Sequence, residues 1–225
     1  MAWTESLLPY TIEEFITAGE AERIVSLIEH YKRANPDRLT AGVTQKTVHV
    51  SDTMSLEELV AMYEPNGRIE ITAEDLPSEV IAIVERAYFT HIEDIRRAYP
   101  SAAWPYGFAY VEYGPGQYFT PHADGITTAQ CAGFGVALSD DFRGGEFLIE
   151  TCGSNRMWVA GGDGMSRLAP GADVSSEWFR KLPRTEWAMS PRRGVAVFYG
   201  SALVHSSRPV TAGRLRKILG FVSKG

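Results

Sequence analysis

The segment Pro121-His122-Ala123-Asp124 places an imidazole and a carboxylate two residues apart. In an extended chain, residues two apart point to the same side. His122 and Asp124 can therefore meet one metal ion as a nitrogen and an oxygen ligand. His205 is the candidate third ligand, because it follows the apolar run Gly194-Val195-Ala196-Val197-Phe198-Tyr199. Two histidines and one carboxylate on one face of an octahedral ion leave three positions open, which suits Fe(II) oxygenases that take a bidentate co-substrate and then O2. Zinc hydrolases use the same ligand types, usually with the histidines at helical spacing, so the residues alone leave that reading open. His30, His49 and His91 have no such companions and read as structural histidines.

The elements that must position these residues fall into two textures. The first hundred residues read mainly as helix. Thr11 offers an N-cap with Glu13 and Glu14 in the first turn. Apolar residues then recur from Phe15 and Ile16 to Leu27 and Ile28 near the helical period, and Pro36 ends the run. Two more helical segments are expected over 55–63 and 78–99. After Pro105 glycine becomes frequent, and short β-rich runs follow at 107–113, 130–138, 146–150, 194–199 and 217–222. The stretch 152–189, with Gly161-Gly162-Asp163-Gly164 and three tryptophans, reads as an insertion, either a lid or binding loop or a decoration without function. Helices on one face of a β-sandwich make a single α+β unit. One domain over 1–225 is expected, with 1–105 as mainly helical support and 106–225 as the β-rich core.

The 225 residues carry a net charge of -6, which argues against a nucleic-acid partner. No window approaches the roughly 20 apolar residues of a membrane span, and the N-terminus lacks the features of a signal peptide. Only Cys131 and Cys152 occur, outside any CxxC pair, so reduced thiols in the cytoplasm are the simplest reading.

The flanks of the candidate ligands then carry a resemblance. Tyr113-Gly114-Pro115-Gly116-Gln117-Tyr118-Phe119-Thr120-Pro121-His122-Ala123-Asp124 resembles the YxxGQ…PHxD segment of prolyl 4-hydroxylase-type 2-oxoglutarate/Fe(II) dioxygenases. Gly144-Gly145-Glu146 resembles that family's GGE strand entry. Pro191-Arg192-Arg193-Gly194-Val195-Ala196-Val197-Phe198 is similar to its P-x-x-G-x-x-x-F strand, and His205…Pro209-Val210…Gly213 to its H-x-x-x-P-V-x-x-G segment. The matches keep the family's order across about residues 106–223.

The resemblance implies a double-stranded β-helix, a jelly-roll variant with the metal between two sheets and the N-terminal helices packed on one of them. It implies Fe(II) on His122, Asp124 and His205, with 2-oxoglutarate and O2 as co-substrates. The family's cation for the far carboxylate of 2-oxoglutarate stands ten places after the distal histidine, where this chain has Leu215. A one-residue bulge would bring Arg216 to that position, with Arg214 as the alternative. Tyr113 matches the family tyrosine that binds the same carboxylate. Because Asp124 is retained, hydroxylation, desaturation or cyclisation is expected in preference to halogenation. A small-molecule substrate, such as an amino acid or natural-product intermediate, is preferred over a protein residue. Arg156, Trp158 and Arg193 are candidate substrate contacts, as are Arg167, Trp178 and Arg180 in the insertion. A metal-dependent hydrolase, a cupin-like isomerase and a non-catalytic jelly-roll binding protein are the competing readings, and monomer and dimer both fit.

Overall fold

The computed structural model describes residues 5–36, 39–41, 67–124, 129–151, 158–160, 166–168 and 185–225. A 3-10 turn at Glu5–Leu7 leads into β1 (Pro9–Ile12), and α1 (Ala18–Ala34) follows. Next come β2 (Thr40–Ala41), β3 (Ile69–Thr72), α2 (Ser78–Thr90), α3 (Ile92–Ala98) and the long β4 (Ala102–Tyr113). The β-rich half holds β5 (Gln130–Ala137), β6 (Phe142–Gly144), β7 (Phe147–Thr151), β8 (Trp158–Ala160), β9 (Ser166–Leu168) and β10 (Thr185–Met189). It closes with β11 (Ala196–Gly200), β12 (Val204–Ser207), β13 (Val210–Gly213) and β14 (Leu215–Lys224).

The cap of α1 is Thr17 rather than Thr11. The Thr17 hydroxyl accepts from the Glu20 amide at 3.2 Å, and the Glu20 carboxylate accepts from the Thr17 amide at 2.9 Å, a reciprocal capping box. Thr11 instead lies in β1, which pairs with β11, and Phe15 and Ile16 are core residues of the link between β1 and α1. The expected helix over 78–99 is two helices, because the chain turns at His91 between α2 and α3. The segment 55–63 lies outside the described residues. The first hundred residues are thus less purely helical than expected: β1, β2 and β3 all join the large sheet.

That sheet has seven strands in the order β1-β11-β5-β14-β4-β3-β2, and the pairings within it are antiparallel. A three-stranded sheet, β10-β7-β12, carries His205. The period-2 alternation of strand side chains assigns each face of the large sheet. Ala132, Phe134 and Val136 of β5, Phe198 of β11 and Ile218 of β14 share one core cluster with Ile24 and Ile28 of α1 and Val80 and Val84 of α2. Fully burying each of these Ile or Val side chains is worth roughly 1.5–3 kcal/mol, so this helix-covered face is the main core. The other face presents Gly135 and Ala137, Val197 and Tyr199, and Lys217, Leu219 and Phe221 to a cavity that also touches Phe147 and His205 of the smaller sheet. On β5 the cavity-facing residues are small, and that leaves room for a site.

Candidate functional site

His122 and His205 are 83 positions apart in sequence, and the backbone brings them together directly. The two residues form an isolated antiparallel bridge: the His122 amide donates to the His205 carbonyl at 3.0 Å, and the His205 amide donates to the His122 carbonyl at 2.8 Å. Residues opposite each other in such a pair point to the same face, and the two imidazole rings lie 4.1 Å apart, centre to centre. Asp124, two residues beyond His122, returns its carboxylate to the same place. One ligand atom from each of the three residues lies within 4.8 Å of the other two.

The histidine tautomers follow from the hydrogen bonds. Nδ1 of His122 lies 3.0 Å from the Thr120 carbonyl and Nδ1 of His205 lies 3.2 Å from the Leu203 carbonyl. A carbonyl only accepts, so each Nδ1 carries a hydrogen and each Nε2 is the ring nitrogen left to serve as a ligand atom. Those Nε2 atoms face Asp124, 3.4 Å from one carboxylate oxygen for His122 and 3.7 Å from the other for His205. Burial, and then the neighbouring His122, push the His205 imidazole down to about 4, so it is neutral at physiological pH. Burial pushes the Asp124 carboxyl up, but His205, His122 and the Tyr199 hydroxyl more than offset it, and the group ends below the ordinary aspartate value. Its Oδ2 is buried without a hydrogen-bond partner among the described residues. Two imidazole Nε2 atoms and a carboxylate with an orphaned buried oxygen are a donor set that fits a divalent cation.

Gly133 permits this closeness. A Cβ there would stand 2.6 Å from the Tyr199 ring and 2.8 Å from Asp124 Oδ2. Tyr199 in turn packs against the His205 ring at 4.2 Å and the Phe147 ring at 5.2 Å.

The two arginines expected at the far end of the site are elsewhere. β14 pairs with β4 without a shift from Leu215 opposite Tyr113 to Leu219 opposite Ala109, and the register shift that precedes it, between Val210 and Ala212 of β13, does not bring Arg216 to the cavity. Arg216 therefore stays on the helix-covered face, with Nη1 3.4 Å from Asp141 and Nε 3.8 Å from Glu112. Arg214 makes a short contact with the other Glu112 oxygen, and Lys32 reaches Glu112 at 2.9 Å. Two other cations line the cavity, Arg68 and Lys217; Lys217 is 8 % exposed, in the company of Tyr113, His122, Asp124 and His205. The Lys217 ammonium makes no salt bridge or hydrogen bond among the described residues; its Nζ lies 6.0 Å from the centres of the Tyr113 and Phe147 rings. Burial, and then the charge of Arg68, push the amine down to about 8. Tyr113 lies at this end, as its position implied, and its hydroxyl accepts from Arg68 Nη1 at 2.7 Å.

Arg193 does not reach the cavity. It pairs with Glu22 at 3.1 Å and Asp140 at 3.3 Å on the far side of the sheet. Arg156, Trp178 and Arg180 lie outside the described residues, and Trp158 and Arg167 are placed only as backbone of β8 and β9. Gln117 serves the turn before the ligands, its side-chain oxygen accepting from the Gly114 amide at 2.7 Å. Cys131 is a free, buried thiol.

No protein-family model matches the sequence, and no curated protein does. Solved structures do. The 2-oxoglutarate-dependent carbocyclase SnoK of nogalamycin biosynthesis matches over 99% of this chain and 81% of its own, with a TM-score of 0.63 at 13% identity. A prolyl hydroxylase from Trichoplax adhaerens, solved with a hypoxia-inducible-factor peptide, matches over 96% and 83%, at 0.60 and 10%. A prolyl 4-hydroxylase from Pseudomonas putida matches over 98% and 94%, at 0.55 and 13%. The fold is that of the 2-oxoglutarate/Fe(II) oxygenases. Within this oxygenase fold the mixed helix and antiparallel-sheet architecture agrees with the sequence reading. Two residues at the cavity, Lys217 and Arg68, were not singled out from sequence. The strand parity shared by Leu215, Lys217, Leu219 and Phe221 could have indicated the first; Arg68 follows Gly67 in a stretch with no recognisable pattern.

Proposed function

We propose that this protein is a 2-oxoglutarate-dependent Fe(II) dioxygenase, one domain with a double-stranded β-helix core, that hydroxylates, desaturates or cyclises a small organic molecule. The observation that carries the reading is Lys217. A buried ammonium without a counter-ion is costly, and this one lines the same cavity as a two-histidine, one-carboxylate set. A ligand that binds a metal at one end and carries a carboxylate at the other meets both needs, and 2-oxoglutarate has that shape.

His122, Asp124 and His205 would hold the iron. Iron supplies the one-electron and dioxygen chemistry that no side chain provides. Lys217 would hold the far carboxylate as a point charge and Tyr113 as a hydrogen-bond donor. Val195, Val197 and Leu219 wall the space between with apolar surface and exclude water from it.

Both protein-acting and small-molecule oxygenases share the fold. SnoK and the epimerase SnoN bound to iron and α-ketoglutarate, at TM-scores of 0.63 and 0.61, come from nogalamycin biosynthesis. The Trichoplax hydroxylase solved with a peptide, at 0.60, is as similar, so the likeness is compatible with a small molecule without selecting it. A prolyl-type hydroxylase is the second reading. Among the described residues no helix is long and apolar enough to cross a membrane.

The test is anaerobic addition of Fe(II) and then 2-oxoglutarate to the metal-free protein, followed by visible absorption. A weak charge-transfer band that needs both components supports the reading. Bound iron without a band rejects the co-substrate and brings forward a hydrolase or isomerase on the same three ligands.

A further inference from the structure

The cationic end of the cavity contains a second buried cation. Arg68 immediately precedes β3 and is 3 % exposed. Its Nε and Nη2 donate to one oxygen of Glu70 at 3.1 and 2.6 Å, and its Nη1 donates to the Tyr113 hydroxyl at 2.7 Å. The guanidinium carbon lies 5.0 Å from the centre of the Phe119 ring. Register explains the meeting: Ile69 pairs with Glu112, which sets Arg68 beside Tyr113.

A guanidinium has five donors and no acceptor. The Tyr113 oxygen must therefore accept in this bond, and its own hydrogen turns away from Arg68. Glu70 balances the Arg68 charge locally, so Arg68 contributes direction more than net charge, while Lys217 keeps the uncompensated one. We propose that Arg68 is a positioning residue that fixes Tyr113 as a donor toward the cavity, where Tyr113 and Lys217 together hold the far carboxylate of a 2-oxo diacid. The inference rests on the 2-oxoglutarate reading above. Its consequence is selectivity: an oxo acid that lacks the far carboxylate gains nothing from Arg68.

The test is anaerobic calorimetric binding of 2-oxoglutarate and of pyruvate to the Fe(II)-loaded protein. The variants are Arg68→Met with Glu70→Gln, which removes the buried pair together and leaves no lone charge, and Arg68→Lys, which keeps the charge should the first fail to fold. The expected result is 2-oxoglutarate binding about tenfold weaker in the double variant, with a smaller loss in Arg68→Lys and pyruvate binding unchanged in both. In a Tyr113→Phe background the same changes produce no further loss. Undiminished 2-oxoglutarate binding, equal weakening for both oxo acids, or full additivity with Tyr113→Phe overturns the inference alone. A wild-type protein that binds iron but no 2-oxoglutarate overturns the co-substrate reading and this inference with it.

Discussion

Lys217 and Arg216 are neighbours on β14 and stand on opposite faces of the sheet: Lys217 lines the cavity, whereas Arg216 faces Asp141 and Glu112. A displacement of one residue along a strand flips every side chain to the other face, and a displacement of two restores it. Position 215 is ten places after His205, and Lys217 lies two further on.

The first prediction concerns that choice. Lys217→Met is expected to weaken 2-oxoglutarate binding on the order of a hundredfold, since removing one partner of a buried charge pair costs about 2–5 kcal/mol. Arg216→Ala and Arg214→Ala are expected to change it less than threefold. The same Lys217→Met protein, without ligands, should melt higher than wild type, because an uncompensated buried cation has been removed. Thermal melts and binding titrations on one set of samples check both. A large effect of Arg216→Ala on co-substrate affinity would return the carboxylate-binding role to Arg216.

These residues also show what was legible in the sequence. The cluster of His122, Asp124 and His205 was, because HxD is a local pattern and the segment around His205 keeps the spacing that lays β12 against it. The small residues Gly133, Gly135 and Ala137 toward the cavity and the large Phe134 toward the helix-covered core follow the same period-2 logic. The cap of α1 was misplaced, because Thr11 and Thr17 both precede acidic residues and only the pairing of β1 with β11 decides between them. The cavity-lining Lys217 was not singled out because a count along the chain does not fix which face of β14 a residue takes; the pairing with β4 does, and it places Lys217 at the cavity and Arg216 opposite Glu112. Arg68 had no local signature at all, since its role depends on β3 lying beside β4.

The second prediction is a pH dependence. The Lys217 amine is pushed down to about 8 in the folded protein, from an ordinary 10.5. The protonated amine is the form that binds a carboxylate, and it is lost as pH rises through about 8. Binding of the anion itself shifts the transition upward. The affinity for 2-oxoglutarate should therefore fall as pH is raised from 7.5 to 9.5, while the affinity for pyruvate stays nearly flat. Titrations at several pH values measure the difference, and parallel pH profiles for the two oxo acids would remove Lys217 from the binding role.

A third prediction follows from the neutral His205. Its folded value of about 4 lies below the ordinary 6.5, so the unfolded chain takes up a proton first as pH falls. The metal-free protein should lose stability as pH drops from about 6.5 toward 4, and His205→Gln should flatten that slope. Denaturant melts across this range check it, and an unchanged slope in the variant would show that other groups set the acid limit.

The fourth prediction separates two glycines on β5. A Cβ at Gly133 would meet the Tyr199 ring at 2.6 Å and Asp124 Oδ2 at 2.8 Å, both held in a buried site. A Cβ at Gly135 would meet only the end of the Leu219 side chain, at 3.3 Å. Gly133→Ala must therefore displace Asp124 or the tyrosine packed on His205, whereas Gly135→Ala needs a shift of a few tenths of an ångström in a flexible leucine. Anaerobic Fe(II) binding is expected to weaken at least tenfold in Gly133→Ala and by less than threefold in Gly135→Ala, because a small displacement of a ligand is enough to spoil an ordered coordination shell. Asp124→Ala sets the lower bound of the series, with iron affinity lost almost entirely. Should Gly133→Ala bind iron as the wild type does, Tyr199 and Asp124 would have to be looser than their packing indicates, and Tyr199 would then have no part in holding the carboxylate in place.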